Sequence, residues 1–599
     1  MMTRSVGGLL TAANQLAEQG RLEEALASYD HALELDPNSA VTVNSRGVTL
    51  IALERIEDAL ADFRRAFTLD PTYVEAYLNA AAALRDSGRF VGALQLANRA
   101  IALCPDSGTA WHIRAVALDW LGRDADAIDA YGKAVSFDDT IELAAGRGTF
   151  LAMYLCRWDS LATDVEKLLA RVNAGHLAAA PFYLLTLPSS PAQQRAASEL
   201  YSNMRFGNEV TIPLPPRQRS QKIRIGYFSP DFRTHPTSHL IAGLIEAHDR
   251  VDFEIFGFKF GSGASDTMTQ RLERAFDKFI DIGALSIADA VSMVREQNID
   301  IAVDLAGHTS KARPRLFTCR MAPIQVNYLG FPGTLGMEAI DYMIADEIVI
   351  PAEHRQYYTE KIVSLPCYQV NDSKRPHPEG AVSRRGLGLP ENAFVFCGFN
   401  SAFKLTPREF DIWMRLLKNV NGSVLWLLDR AVEVAFNWQK EEVRLNLQKE
   451  AERRGISPDR LVFAPRVEVS EHLARHQAAD LFLDTLTCNA HTTASDALWM
   501  GLPIITMLGD AFPGRVAASL LTAAGLPELV TRSEAEYESL ALDLATHPHK
   551  LARLKQHLRQ HRKSCTLFDT ALFATNIETA YRKMVAIYDT GSPPEHFSI

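Results

Sequence analysis

A 34-residue period rules the first 140 residues of the chain. Pro37, Pro71 and Pro105 stand 34 residues apart, and Ala25, Ala59, Ala93 and Ala127 keep the same spacing. So do Ala32, Ala66, Ala100 and Ala134, while Gly20, Gly88 and Gly122 share the period with Glu54 in the intervening slot. Small residues at fixed places let paired helices approach closely, an aromatic (Tyr29, Phe63, Tyr131) fills the second helix, and the proline stops that helix before the next unit. Such a segment stacks like units in a row instead of closing around one centre. The expectation is an α-solenoid of about four helix pairs over residues 1–140.

The unit resembles the tetratricopeptide repeat, which implies a concave face suited to extended peptide. Residues 141–221 stay helical in pattern ("LATDVEKLLARV", "PAQQRAASELY") without the period, and end in the linker "IPLPPRQRSQK"; they read as a bridge. From about residue 222 short apolar runs alternate with helical stretches: "IRIGYFS" (223–229), "FEIFGFKF" (253–260), "DIAVDL" (300–305), "IQVNYLG" (324–330) and "YMIAD" (342–346). The alternation restarts with "FVFCGFN" (394–400), "VLWLLD" (424–429), "LVFAP" (461–465), "LFLDT" (481–485) and "PIITM" (503–507). Runs of this length between helices predict parallel sheets covered on both faces. Two series predict two Rossmann-like lobes, residues 222–385 and 386–599, the second carrying C-terminal helices. Ligands of such sheets sit beyond the carboxyl ends of strands.

Four loops occupy that position. In "PDFRTHPTSHL" (230–240) His235 precedes a proline suited to the first helical turn, so it is expected at a helix cap facing the crevice. His239 follows four residues later, but Pro236 interrupts the helix and no Glu stands second, so a zinc pair is not expected. "GFPGT" (330–334) is a turn without dinucleotide spacing. "NSAFK" (400–404) sets Lys404 just past a strand end, where it would neutralise an anion. In "CNAHTTASDALWMGLPIITM" (488–507) a helix beginning near His491 would bring its first N–H groups and the hydroxyls of Thr492 and Thr493 to one point, attractive to phosphate. Asp496, a turn later, could accept from ribose hydroxyls or simply favour the helix start.

Charge narrows the partners. With a formal charge of -10 and a pI near 6.0, the chain lacks the basic footprint of a nucleic-acid binder. No apolar run is long enough to span a bilayer, and "MMTRSVGG" lacks a signal-peptide pattern. The seven cysteines (104, 156, 319, 367, 397, 488, 565) show no CxxC spacing and read as reduced thiols of a cytoplasmic protein.

"DFRTHPTSHL", "APIQVNYLGFPGT", "FNSAFKLTP", "VLWLLD", "CNAHTTASDALWMGLPIITM" and "FPGRVAASLLTAAGLPELV" (512–530), in this order behind the repeats, closely resemble the O-linked N-acetylglucosamine transferase family in a bacterial form. The resemblance implies a two-lobed GT-B glycosyltransferase that inverts the anomeric centre, needs no metal or other cofactor, and moves a sugar from a UDP-sugar to Ser or Thr hydroxyls of proteins. It places His235 near the reacting centre, Lys404 on the diphosphate, His491, Thr492 and Thr493 in the phosphate cradle, Asp496 on the ribose, and His472 and Arg475 around the uracil. The implied partners are a UDP-sugar and a protein or peptide acceptor held by the repeats, with a homodimer left open and neither nucleic acid nor membrane involved.

Three positions depart from the animal members, where Ser401 is usually Gln, Phe403 Tyr and Val469 Lys. N-acetylglucosamine is the first expectation for the donor sugar, with glucose or another hexose open. The chemistry expected is one displacement at the anomeric carbon, the leaving diphosphate stabilised by Lys404 and the helix start, with His235, a donor phosphate oxygen or water taking the proton. Competing readings are transfer of a hexose to Asn or to a small acceptor, and a non-catalytic scaffold that binds UDP-sugar.

Overall fold

The computed structural model describes residues 6–207, 217, 220–261, 263, 265–378, 380, 382–429 and 438–599. They form two compact units, Met1–Ala152 and Met153–Ile599.

The first unit is the solenoid. Helices Val6–Glu18 and Leu22–Leu35, Ala40–Ala52 and Ile56–Leu69, Val74–Asp86 and Phe90–Leu103, and Gly108–Trp120 and Asp124–Phe137 make four pairs. The periodic alanines are fully buried. A Cβ on Gly47 would lie 2.6 Å from the Phe63 ring, so the second pair closes only around glycine. Between the helices of each pair Gly20, Gly88 and Gly122 take φ of +74°, +75° and +73°, and Glu54 in the equivalent slot takes +60°. The unit runs past the expected boundary at 140, because helix Ala144–Tyr154 packs on the last pair. Ala144 and Leu151 join the Trp111–Tyr131 core, and Arg147 reaches Asp119 at 2.6 Å.

The second unit holds two parallel sheets. The first contains β1 (Ile223–Ser229), β2 (Phe253–Lys259), β3 (Lys278–Asp281), β4 (Ile301–Asp304), β5 (Ile324–Asn327), β6 (Tyr342–Ala345) and β7 (Lys361–Ser364). The second contains β8 (Val395–Gly398), β9 (Val424–Leu428), β10 (Leu461–Ala464), β11 (Leu481–Leu483), β12 (Ile504–Met507) and β13 (Val530–Thr531). A last strand, β14 (Phe597–Ser598), returns to the first sheet beside β7. The orders are β14-β7-β6-β5-β4-β1-β2-β3 and β10-β9-β8-β11-β12-β13. Both reverse direction about their first strand, at β1/β4 and β8/β11, which is where a doubly wound sheet opens a crevice.

All ten expected runs are strands, each starting or ending within a few residues of the quoted text. The tail departs from expectation. Helix Thr570–Asp589, expected with the second lobe, packs Phe573, Ile577, Tyr581 and Met584 into the core of the first sheet. The bridge, which includes helices Leu161–Asn173 and Pro191–Phe206, touches both lobes. Trp158 meets Phe410 of the second lobe edge-on at 5.3 Å, while Ser202 Oγ donates to Leu335 O of the first at 2.7 Å.

Candidate active site

The second-lobe crevice is built from the loops beyond β8 and β11. Past β8 the chain passes Asn400 and makes a single 3-10 turn, Ala402–Lys404. That turn is held from behind by a capping box: Thr406 N donates to Glu409 at 2.7 Å as helix Pro407–Asn419 begins. The Phe403 ring stacks on Tyr154 at 5.9 Å, so the bridge braces the turn from outside. Lys404 Nζ then points across to the β11 loop and donates to Asn489 O at 2.6 Å.

Past β11 lies Asp484, fully buried. It accepts from Ala490 N at 2.6 Å, Thr485 N at 2.9 Å and Thr506 Oγ1 at 2.7 Å, with Asn400 Nδ2 at 3.4 Å. Burial pushes its carboxyl up to about 7 against these donors. The carboxylate thereby shapes the turn that delivers helix Thr492–Trp499, whose cap is His491. His491 Nε2 donates to Pro513 O at 3.2 Å, and burial, then the Lys404 charge, lowers the imidazole to about 3. It is a neutral ring beside a cation. Thr492 and Thr493 are the first helical residues, so their N–H groups fall among those a helix leaves without internal acceptors. The two hydroxyls do not both face that point: Thr493 Oγ1 donates to Asn400 Oδ1 at 3.2 Å and ties the helix start to the β8 loop.

The neighbouring end of the crevice is assembled from helix Val469–Arg475 and the middle of helix Thr492–Trp499. Arg475 lies over the Phe399 ring at 4.8 Å, donates to Pro465 O at 2.6 Å and also donates to His472 Nδ1. Burial lowers its guanidinium to about 10 and drives His472 far below the usual imidazole range, with His476 and Arg475 adding to the second effect. Asp496 is paired with Arg375 at 2.9 Å, and its second oxygen lies 3.9 Å from His472 Nε2. Its side chain is 13% exposed and that of Arg375 6%, so this is a nearly dry ion pair with one carboxylate edge turned to His472. Burial raises the Asp496 carboxyl, with Arg375 opposing.

In the first lobe His235 caps helix Pro236–Ala247, its Nδ1 accepting from Thr237 N at 3.3 Å. A neutral ring that accepts at Nδ1 carries its proton on Nε2, which lies 3.7 Å from Asp231 Oδ2. His239, one turn on, is kept below its ordinary pKa by burial and then by the Arg375 charge, so this loop and the Asp496 pair lie near each other. Among the described residues no three His, Cys, Asp or Glu side chains gather as a metal site requires, and no helix is long and apolar enough to cross a membrane.

Lys404, His491, Thr492 and Thr493 come together at one crevice, and His472, Arg475 and Asp496 at its neighbouring end. Sequence reasoning missed Arg375, Asn400 and Asp484. Asp484 had a signal, an acid closing the apolar run "LFLDT". Arg375 had none, since it sits in the irregular stretch "NDSKRPHP" far from Asp496 in the chain.

Glycosyl transferase family 41 matches residues 209–379 and 368–577, and tetratricopeptide repeat models match 13–53 and 45–108. An Arabidopsis thaliana protein named probable UDP-N-acetylglucosamine–peptide N-acetylglucosaminyltransferase is 35% identical over 470 residues, covering 74% of this chain and 47% of its own length. A Caenorhabditis elegans UDP-N-acetylglucosamine–peptide N-acetylglucosaminyltransferase is 29% identical over 494 residues, covering 64% of this chain and 42% of its own. The chain therefore spans less than half the length of these relatives. A solved mutant of the Thermobaculum terrenum O-GlcNAc transferase superposes with a TM-score of 0.65 and 26% identity, covering 93% of this chain and 99% of that one.

Proposed function

Because the chain belongs to glycosyl transferase family 41, we propose that it moves a sugar, N-acetylglucosamine first among candidates, from a UDP-sugar to Ser or Thr hydroxyls of proteins. The observation that carries this reading is Lys404 held on Asn489 O, in the loop that leads into helix Thr492–Trp499, at the β8/β11 switch point. A diphosphate seated there meets a cation on one side and free N–H groups on the other, both fixed before any reaction.

In this reading the acceptor oxygen forms a bond to the anomeric carbon as the bond to UDP breaks, with inversion. The electron pair leaves on the diphosphate, where Lys404 and the helix start meet the growing charge without a metal. His235 holds the reacting groups through its Nε2–H. Its lone pair is engaged at the cap, so the acceptor proton goes to a donor phosphate oxygen or a water. Arg375 and His472 fix Asp496 to accept from ribose hydroxyls, while Arg475 and Phe399 form the floor for the base. The repeats, with their concave face, are the proposed site for an extended acceptor segment.

The test is UDP release from a panel of UDP-sugars, with and without a cell lysate, followed by mass analysis of modified Ser and Thr. UDP-N-acetylglucosamine should turn over fastest, only with protein acceptor present, and equally well in EDTA. Activity lost on chelation and restored by Mg²⁺ or Mn²⁺ would defeat the metal-free reading; release without protein acceptor would point to a small-acceptor enzyme.

A further inference from the structure

The second lobe holds another cavity, at the opposite end of its sheet. It measures about 550 Å³, and its lining includes His476, Met500, Leu502, Lys555, Arg559 and Arg562. Leu502 lies just ahead of β12, so the cavity opens at the amino ends of the strands, away from Lys404 and Thr492.

Three of these groups are cations on or just after helix Pro548–His561. Lys555 Nζ donates to Ala479 O at 3.2 Å and reaches Asp480 at 3.4 Å, which leaves a third N–H. Arg562 donates one N–H to Trp499 O at 3.3 Å, while its buried Nε has no partner among the described residues. Neither Arg559 nor Arg562 has an ion-pair partner among the described residues. The fourth group is of another kind. His476 is fully buried and donates from Nδ1 to His472 O at 2.8 Å. Burial keeps its ring neutral, down to about 4, so Nε2 is a bare acceptor, and no donor meets it among the described residues.

A ligand that satisfies this lining needs negative charge for the three cations and an O–H for His476. Inorganic phosphate supplies chiefly the first and a free sugar only the second. We propose that the cavity binds a sugar phosphate, its phosphate on Lys555, Arg559 and Arg562 and a hydroxyl donating to His476 Nε2, and that its occupancy tunes donor binding. Two contacts join it to the nucleoside side. The His476 and His472 rings meet at 4.9 Å, and Arg562 and Arg375 lie 5.0 and 5.9 Å from the same Trp499 ring. Arg375 is the residue that holds Asp496.

Calorimetric titration of the full chain tests this with glucose 6-phosphate, inorganic phosphate and glucose as probes. Glucose 6-phosphate should bind at least about tenfold tighter than phosphate, with glucose weaker than both, since the ester joins the charge the cations need to sugar hydroxyls that can reach His476. Arg559→Glu, an exposed position, should weaken that binding at least about tenfold and leave the affinity for UDP alone unchanged. Saturating glucose 6-phosphate should shift the Kd for UDP about fivefold or more, and UDP should shift the Kd of the ester by the same factor. Equal binding by Arg559→Glu, loss of the ester signal in saturating UDP, no binding at all, or an unmoved UDP affinity would each overturn the proposal. None of these readouts requires sugar transfer, so failure here and failure of the transfer assay are distinguishable.

Discussion

Lys404 is proposed to meet the negative charge that grows on the diphosphate as the glycosidic bond breaks. Its contribution should grow toward the transition state, so Lys404→Ala is expected to lower kcat about 100- to 1000-fold, near 3 kcal/mol, and not merely raise KM. Steady-state kinetics decide this, and an unchanged kcat would remove Lys404 from the chemistry. His235 carries two roles that separate by substitution. His235→Ala should lose about 1 kcal/mol of stability with the cap and about 100-fold in turnover, as when one fixed hydrogen-bond donor is removed, with UDP affinity little changed. His235→Asn, a good capping residue, should recover the stability and not the turnover. If Asn also restored turnover, capping would be the whole role. At this scale the sequence was legible where position and chemistry coincide: a lysine past one strand end, hydroxyls and an imidazole past another. It was not legible where a role depends on which nitrogen of a ring is engaged, as at His235, or on a partner from an irregular loop, as for Arg375 and Asp496.

Strands and repeats announced themselves through apolar runs and a fixed period; β7 ("KIVS") escaped because its apolar run is only two residues long between Lys361 and Ser364, and the other elements that escaped lie at sheet edges. β3 reads "KFID" with exposed ends, and β13 and β14 have two residues each. Such edges carry no periodicity and are strands only because a neighbour offers its backbone. The repeat itself contains a small flaw. Glu54 occupies the left-handed slot that glycine fills in three other pairs, at a cost of roughly 1–2 kcal/mol for a residue with a Cβ. Glu54→Gly should therefore raise the melting temperature of the repeat unit, and a fall would show that the glutamate side chain outweighs the strain. Removing residues 1–140 tests the division of labour. Helix Ala144–Tyr154 would remain, with Tyr154 still stacked on Phe403 beside Lys404. UDP binding should survive while transfer to protein acceptors disappears; full glycosylation by a folded truncation would contradict the proposed groove.

Across the two lobes, the tail helix leaves the second lobe and closes the core of the first. Tyr227 OH is 2.9 Å from His248 Nε2 and 3.1 Å from Tyr581 OH, and His248 Nδ1 meets Glu578 at 2.9 Å. The chain is satisfied when Tyr581 donates to Tyr227, Tyr227 to a neutral His248, and His248 to the Glu578 carboxylate. Burial holds His248 below its ordinary value near 6.5. The unfolded imidazole gains its proton first, so this stabilisation is complete above pH 6.5 and drains away as pH falls further. Glu578 is also held low, but its loss belongs to a more acid window, below about 4.5. Melting temperatures between pH 7.5 and 5.5 should fall less steeply in His248→Gln than in wild type, and equal slopes would exclude His248 as the source. The tail has a further consequence for how the protein is made. A sheet begun at Ile223 receives its last strand only at Phe597, so nearly the entire catalytic unit must leave the ribosome before that sheet can be completed. The repeats, whose contacts are local, can close as they emerge. A newly made chain therefore passes through a stage with these repeats closed and an open first sheet, its β7 edge waiting on residues not yet synthesised.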